Sequence, residues 1–337
     1  MTDKQQISGQ THFVCLLGNP TGHSLSPAMH NLSFELLGID SVYLCFDVQN
    51  EDLGRIVDAF KAMSSWDGFN VTMPCKHAII PHLDGLDDAA QLIGAVNVVK
   101  KVTGESFGSD AAGGFDEDVS GSAGAGVADG SDADAADGAG EDVPGNASVK
   151  ALGYNTDGKG FMENLAKHGV QAFGARMVLL GPGGAGSAIL VQAALDGVSH
   201  LDVFARAGGA SYEAACELAE RVMQKTACKI ELHDIVDADD LAACIQAADI
   251  LVNATPVGMG EGCTETPVPA ELIRPGIAVA DVIYHPRETQ LIRDAKARGC
   301  VTVTGLGMLI EQAAVGEAIW YDAQMPIEEV ERQLFGE

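Results

Sequence analysis

No apolar run in the chain approaches the roughly 18 residues that a membrane-spanning helix needs. Cationic residues are scarce: 20 Lys and Arg stand against 48 Asp and Glu, giving a formal net charge of -28. A nucleic-acid face needs clustered Lys and Arg, and an anionic membrane surface attracts the same residues, so no nucleic acid and no membrane partner is expected. No C-x-x-C pair occurs. The eight cysteines (Cys15, Cys45, Cys75, Cys216, Cys228, Cys244, Cys263 and Cys300) are scattered, several within apolar patterns, and read as buried free thiols of a reducing compartment. The nine histidines show no H-x-x-x-H or H-E-x-x-H spacing and form no cluster with cysteine, so no metal is expected. The start, Met1-Thr2-Asp3-Lys4-Gln5-Gln6, is polar and lacks the apolar core of a signal peptide. These absences point to a cytoplasmic protein.

What is present is a β–α alternation long enough for two domains: 337 residues, 47% of them hydrophobic, with 40 glycines. Strand patterns at Phe13–Leu17, Val42–Phe46 and the run into Val71 alternate with helical ones at Ser26–Leu37 and Leu53–Met63. Ser26 before Pro27 reads as an N-cap, and Gly38 as the stop. From about 104 to 148 the sequence is Gly, Ala, Ser and Asp, with eleven acidic residues and no Lys or Arg. Such a composition buries too little to offset its ordering entropy, so disorder is expected there. Setting those eleven aside leaves -17 for the rest of the chain. Without the insertion, Val98–Val102 and Val149–Tyr154 join as a plain hairpin. Beyond it, Met177–Leu180, Leu201–Phe204, Lys229–Leu232, Ile250–Asn253, Ile277–Ile283 and Val301–Val303 alternate with helical segments. That is the signature of a doubly wound parallel sheet. The expected plan is an N-terminal α/β substrate domain (8–157, carrying the insertion), a C-terminal Rossmann domain (158–306), and helices from 307 to 337 that pack back on the first domain.

Gly181-Pro182-Gly183-Gly184-Ala185-Gly186 is G-x-G-x-x-G between a predicted strand and a predicted helix, where a pyrophosphate meets helix N–H groups. The carboxylate about 20 residues on, Asp202, sits early in its strand, whereas the strand end reads Ala205-Arg206-Ala207. Arg206 suits a 2′-phosphate, which places NADP ahead of NAD. A nicotinamide enzyme without metal needs a proton donor and acceptor at the reacting oxygen. A Lys–Asp pair supplies it, and Lys76 and Asp157 both fall at predicted strand ends facing Gly181. Free lysine titrates near 10.4, so some desolvation would help it work near neutrality.

These residues resemble the shikimate dehydrogenase family. The likeness runs through Gly18-Asn19-Pro20, His23-Ser24-Leu25-Ser26-Pro27-Ala28-Met29-His30-Asn31, Asn70-Val71-Thr72-Met73-Pro74-Cys75-Lys76, Gly94-Ala95-Val96-Asn97 and Gly153-Tyr154-Asn155-Thr156-Asp157-Gly158. It continues through the Gly181 loop, Asn253-Ala254-Thr255-Pro256-Val257-Gly258-Met259, Asp281-Val282-Ile283-Tyr284-His285-Pro286, Gly305-Leu306-Gly307-Met308-Leu309 and Gln312-Ala313-Ala314, and covers all but the acidic insertion. The resemblance implies reversible NADPH-dependent reduction of 3-dehydroshikimate to shikimate, with Lys76 as acid/base and Asp157 as its partner. It implies that Ser24 and Ser26 hold the substrate carboxylate. Thr72, Asn97, Asp157 and Gln312 would take the hydroxyls, with Tyr284 nearby. Gly181, Pro182, Gly183, Gly184, Ala185, Arg206, Val282 and Gly305 would contact the cofactor.

Two departures stand out. The strict NADP form of the family has Asn-Arg-Thr where this chain has Ala205-Arg206-Ala207, and the NAD- and quinate-accepting relatives carry an acid where Gly208-Gly209 stand. Neither pattern is met, so NAD and quinate stay open as second cofactor and second substrate. The oligomeric state is also open, with a homodimer as the candidate assembly. The rival reading is a non-catalytic nucleotide-sensing protein that uses the acidic loop as an arm.

Overall fold

The computed structural model describes residues 7–104 and 149–336, so the expected disorder of the acidic insertion lies outside the described residues. The chain is α/β, and its described residues form two six-stranded sheets. In the first half, β1 (His12–Gly18), α1 (Ser26–Leu37), β2 (Ser41–Asp47), α2 (Leu53–Lys61) and β3 (Trp66–Val71) come in that order. After them come α3 (Cys75–Ala78), β4 (Gly85–Leu86), α4 (Asp88–Ile93), β5 (Val98–Val102) and β6 (Lys150–Tyr154). The sheet order is β2-β1-β3-β5-β6-β4, parallel from β2 to β3 and antiparallel across β3, β5 and β6. Val102 pairs with Lys150, so the hairpin closes directly across the insertion. Trp66, Phe69 and Val71 from β3 pack with Cys15 and Leu17 of β1 and Val57 of α2, burying one face of this sheet.

The second half runs α5 (Asp157–Lys167), β7 (Arg176–Leu180), α6 (Gly184–Leu195), β8 (His200–Ala205), α7 (Ala210–Met223), β9 (Lys229–Asp234), α8 (Ala238–Ala247) and β10 (Ile250–Asn253). It ends with β11 (Ala278–Asp281), α9 (Gln290–Ala297), β12 (Val301–Val303), α10 (Gly305–Tyr321) and α11 (Ile327–Phe335). All neighbours are parallel in the order β12-β11-β10-β7-β8-β9, the six-strand Rossmann arrangement. Met177, Leu179, Leu201 and Val203 face one buried layer while Val178, Leu180, Leu251 and Val279 face the other. A sheet covered on both faces explains why these strands read as continuous apolar runs. The order reverses between β7 and β10, which opens a crevice at their C-terminal ends. α10 reaches back to the first sheet, where the Trp320 indole N–H donates to the Val99 carbonyl at 2.9 Å.

α4 shows how local chemistry sets the loop that follows it. Asp87 caps the helix by accepting from the Ala90 N–H at 2.7 Å, and Gly94 ends it at φ +73°. Burial outweighs that hydrogen bond and pushes the Asp87 carboxyl up to about 6. An acid whose pKa is raised by folding adds stability when protonated and loses it as pH rises through the folded value. Asn caps as well as Asp and does not titrate. Asp87→Asn is therefore expected to match the parent below about pH 4 and to gain roughly 1–3 kcal/mol by pH 8. Urea midpoints across that range check this, and a pH-independent difference would contradict it.

Candidate active site

One wall of the site is the loop from β1 to α1. A Cβ on Gly18 would meet the Thr72 Cγ2 at 2.3 Å, so only glycine lets this loop lie against the end of β3. The Thr21 N–H and hydroxyl each donate to Asp47 Oδ1 at 2.7 Å, and those hydrogen bonds hold the Asp47 carboxyl below its ordinary range. Ser26 is not the N-cap that the sequence pattern implies. It is the first residue of α1, Leu25 takes the cap position, and the Ser24 hydroxyl accepts from the Ser26 N–H at 3.2 Å. That hydroxyl, two residues back, satisfies the N–H of the first helical residue.

The second wall carries the pair expected to move a proton. Neither member ends a strand. β3 stops at Val71, a turn bond joins Cys75 N–H to the Thr72 carbonyl at 2.8 Å, and Lys76 lies in the short helix α3. Pro74 has no N–H to extend the ladder, so the chain turns instead. Asp157 opens α5, where helix N–H groups favour a carboxylate. Lys76 Nζ donates to Asp157 Oδ2 at 2.5 Å, with side-chain exposures of 25% and 16%. Both are reachable from solvent yet shielded. The other Asp157 oxygen accepts from Asn97 Nδ2 at 2.8 Å, and the Asn97 carbonyl oxygen Oδ1 takes the Thr156 N–H at 2.8 Å. Asn97 is buried, so it fixes the direction in which the carboxylate presents itself to lysine.

α10 forms the floor. A Cβ on Gly160 would meet the Gln312 backbone N at 2.4 Å, so glycine allows α5 and α10 to touch backbone to backbone there. The Thr156 hydroxyl donates to the Gln312 carbonyl at 3.1 Å, and the Gln312 amide donates to the Leu309 carbonyl at 2.8 Å. Gln312 thus reaches the cleft beside Asn97 instead of facing water.

On the Rossmann side, the four glycines of the loop have three distinct kinds of surroundings. Gly181 sits at φ +84° in the tight turn after β7. Gly183 and Gly184 have open space where a Cβ would stand. A Cβ on Gly186 would meet the Gly181 carbonyl oxygen at 2.1 Å, so this glycine permits close helix–strand packing. Turn, open approach and packing are the roles that a dinucleotide pyrophosphate requires, so the residues present fit that group. Across the crevice, Asp281 is buried and accepts from the Thr289 hydroxyl at 2.7 Å, the Ile283 N–H at 3.0 Å and Asn253 Nδ2 at 3.1 Å. Burial raises its carboxyl despite those bonds, and together they hold the turn that presents Val282 and Tyr284.

A cleft of about 440 Å³ joins these walls. It brings together Ser24, Ser26, Thr72, Lys76, Asn97, Asp157, Tyr284 and Gln312, with Ala185, Val282 and Gly305 on the Rossmann side. Gly181, Pro182, Gly183, Gly184 and Arg206 lie outside its lining, along the crevice at the ends of β7 and β8. Asn70 also lines the cleft and was missed as a site residue. It accepts from the Tyr43 hydroxyl at 2.6 Å and donates to the Asn97 carbonyl at 3.0 Å, a role visible in the sequence only as its place in the Lys76 motif. Among the described residues, two groups of possible metal donors meet around Asp202: His233 with Cys244, and His200 with Glu231. Both Asp202 oxygens are already held by Arg176, at 2.7 and 3.0 Å, so a guanidinium is the resident cation there.

The model of the shikimate dehydrogenase substrate binding domain matches residues 16–99. A shikimate dehydrogenase (NADP(+)) of Listeria monocytogenes is 37% identical over 99% of this chain and 100% of its own length. The crystal structure of a shikimate 5-dehydrogenase from Listeria monocytogenes in complex with shikimate and NAD superposes with a TM-score of 0.81 at 36% identity, covering 98% of both chains. A shikimate dehydrogenase in complex with NADP+ gives 0.75 at 32% identity, covering 98% of this chain and 97% of its own.

Proposed function

The chain belongs to the shikimate dehydrogenase family of NADP-dependent oxidoreductases acting on a CH–OH group, and from that premise we propose how its own residues carry out the reversible reduction of 3-dehydroshikimate to shikimate. The observation that carries the reading is the Lys76–Asp157 pair, oriented by Asn97, in a cleft that opens toward the Gly181 loop. The relatives do not favour the alternatives, a quinate/shikimate dehydrogenase using NAD or NADP and a non-catalytic nucleotide sensor.

Bound NADPH would supply the hydride to the ring carbonyl carbon. Lys76, as the ammonium, gives a proton to the carbonyl oxygen in the same direction, and as the amine takes it back from the hydroxyl in reverse. Asp157 holds Nζ in place and offers its remaining acceptor capacity to a neighbouring ring hydroxyl. Thr72, Asn97 and Gln312 add donors and acceptors for the other hydroxyls, and Tyr284 stands at the mouth. Ser24 and Ser26 take the ring carboxylate as neutral donors, leaving Lys76 free for chemistry. A site built around hydroxyls in this way rejects analogues that lack them. The N–H groups of Gly183, Gly184 and Ala185 would hold the pyrophosphate, Arg206 a 2′-phosphate, and Val282 and Gly305 the nicotinamide end. NAD is accepted as a second cofactor in this reading. The first α/β unit is its substrate domain and a homodimer its assembly, and the net charge of -28 speaks against nucleic-acid partners. The cytoplasm is its compartment, in keeping with eight free cysteines among the described residues and no described helix long and apolar enough to cross a membrane.

The test is steady-state turnover of shikimate and of quinate, each with NADP+ and NAD+, followed by the near-ultraviolet absorbance of reduced nicotinamide. Turnover should be greatest with shikimate and NADP+. No turnover in any combination would refute the assignment.

A further inference from the structure

Rossmann geometry places the adenosine ribose 2′ position at the C-terminal end of the second strand, here β8, where NAD-binding sites put a carboxylate. β8 ends without one, and its sequence candidate Asp202 is fully buried under Arg176. The neighbouring strand does end in a carboxylate, Asp234. β9 is parallel to β8 and ends level with it, with Ala205 opposite Asp234. Asp234 Oδ1 accepts from the Ala207 N–H at 3.2 Å and the Val236 N–H at 3.3 Å, so its carboxylate is pinned against the turn that carries Arg206. Arg206 is exposed, and among the described residues no hydrogen bond or ion pair engages its guanidinium; its backbone carbonyl accepts from the Gly209 N–H at 3.1 Å. The other turn residues are small, and a Cβ on Gly208 would meet nothing within 4 Å. A held carboxylate and an unpaired guanidinium therefore belong to one turn at the end of β8.

We infer that Asp234 is a cofactor-specificity residue, accepting a hydrogen bond from a ribose 2′-hydroxyl and repelling a 2′-phosphate, in opposition to Arg206. This rests on the dinucleotide reading of the Gly181 crevice. Selection between the two cofactors is then set by the balance of the two side chains and not by an acid at the end of β8. The sequence hides the arrangement because Asp234 lies 27 residues beyond Ala207, on a different strand.

Isothermal titration of adenosine 2′,5′-bisphosphate and of adenosine 5′-diphosphate tests it without turnover, using the parent chain, Asp234→Asn and Arg206→Ala. Asn keeps the oxygen that accepts from Ala207 and Val236, so the turn is retained while the charge is lost. Asp234→Asn should shift the affinity ratio toward the bisphosphate by about tenfold, the scale of one charged contact near a protein surface. Arg206→Ala should shift it the other way by a similar factor. A ratio unchanged in Asp234→Asn, or an equal loss for both nucleotides, overturns the role of Asp234 while leaving the crevice a nucleotide site. Binding of neither nucleotide by the parent overturns both.

Discussion

Replacing Lys76 by alanine is expected to lower kcat for shikimate oxidation by about 10²–10⁴-fold, the usual worth of a positioned acid/base. The expectation follows from how few groups near the cleft can do this work. Asp157 is the nearest titratable neighbour of Lys76, but it is committed to Nζ at 2.5 Å and to Asn97 at 2.8 Å. The shikimate KM should rise far less, because the proposed carboxylate and hydroxyl contacts come from Ser24, Ser26, Thr72, Asn97 and Gln312 and survive the change. Removing Asp157 as well should cost little beyond the single variant, since residues that act as a unit are strongly non-additive. A near-normal kcat in Lys76→Ala would remove lysine from the mechanism. Additive losses in the double variant would separate the two roles.

The largest effect on stability is expected from Glu317→Ala. Glu317 is fully buried on α10, with Oε1 at 2.8 Å from His30 Nδ1 and Oε2 accepting from the Ser33 hydroxyl at 2.6 Å. His30 and Ser33 lie on α1, and the His30 ring stacks on Tyr43 with centroids 4.4 Å apart. Alanine would strand both partners without solvent, and each buried polar group left unsatisfied costs about 1–3 kcal/mol. Chemical denaturation reads this directly. Glu317→Gln, which keeps the shape and one acceptor, should lose clearly less. The effect should also reach the cleft, because α10 carries Gln312 and α1 begins at Ser26, so shikimate KM should rise in the alanine variant. A loss below about 1 kcal/mol would mean that the pair contributes nothing beyond packing.

The β–α alternation was legible because a sheet covered on both faces demands unbroken apolar strands, as in Met177–Leu180 and Ile250–Asn253. The Gly181 loop was legible for a related reason: turn, open approach and close packing each demand glycine. Details decided by short-range competition were less so. Ser26 matched an N-cap pattern, yet it begins the helix and gives its own N–H to the Ser24 hydroxyl, and Lys76 follows its strand by way of a short helix.

By itself the sequence determined the fold class, the nucleotide fingerprint and the residue types of the site, since each follows from local patterns of apolarity, glycine and polar groups. Only the tertiary structure decided which of those groups work together. Lys76 meets Asp157 across 81 positions, His30 meets Glu317 across 287, and Asp234 reaches the turn after β8 from a neighbouring strand. Such partnerships are set by sheet order and helix packing, which bring distant residues within the 2.5–3.2 Å reach of a hydrogen bond and leave no trace in local spacing.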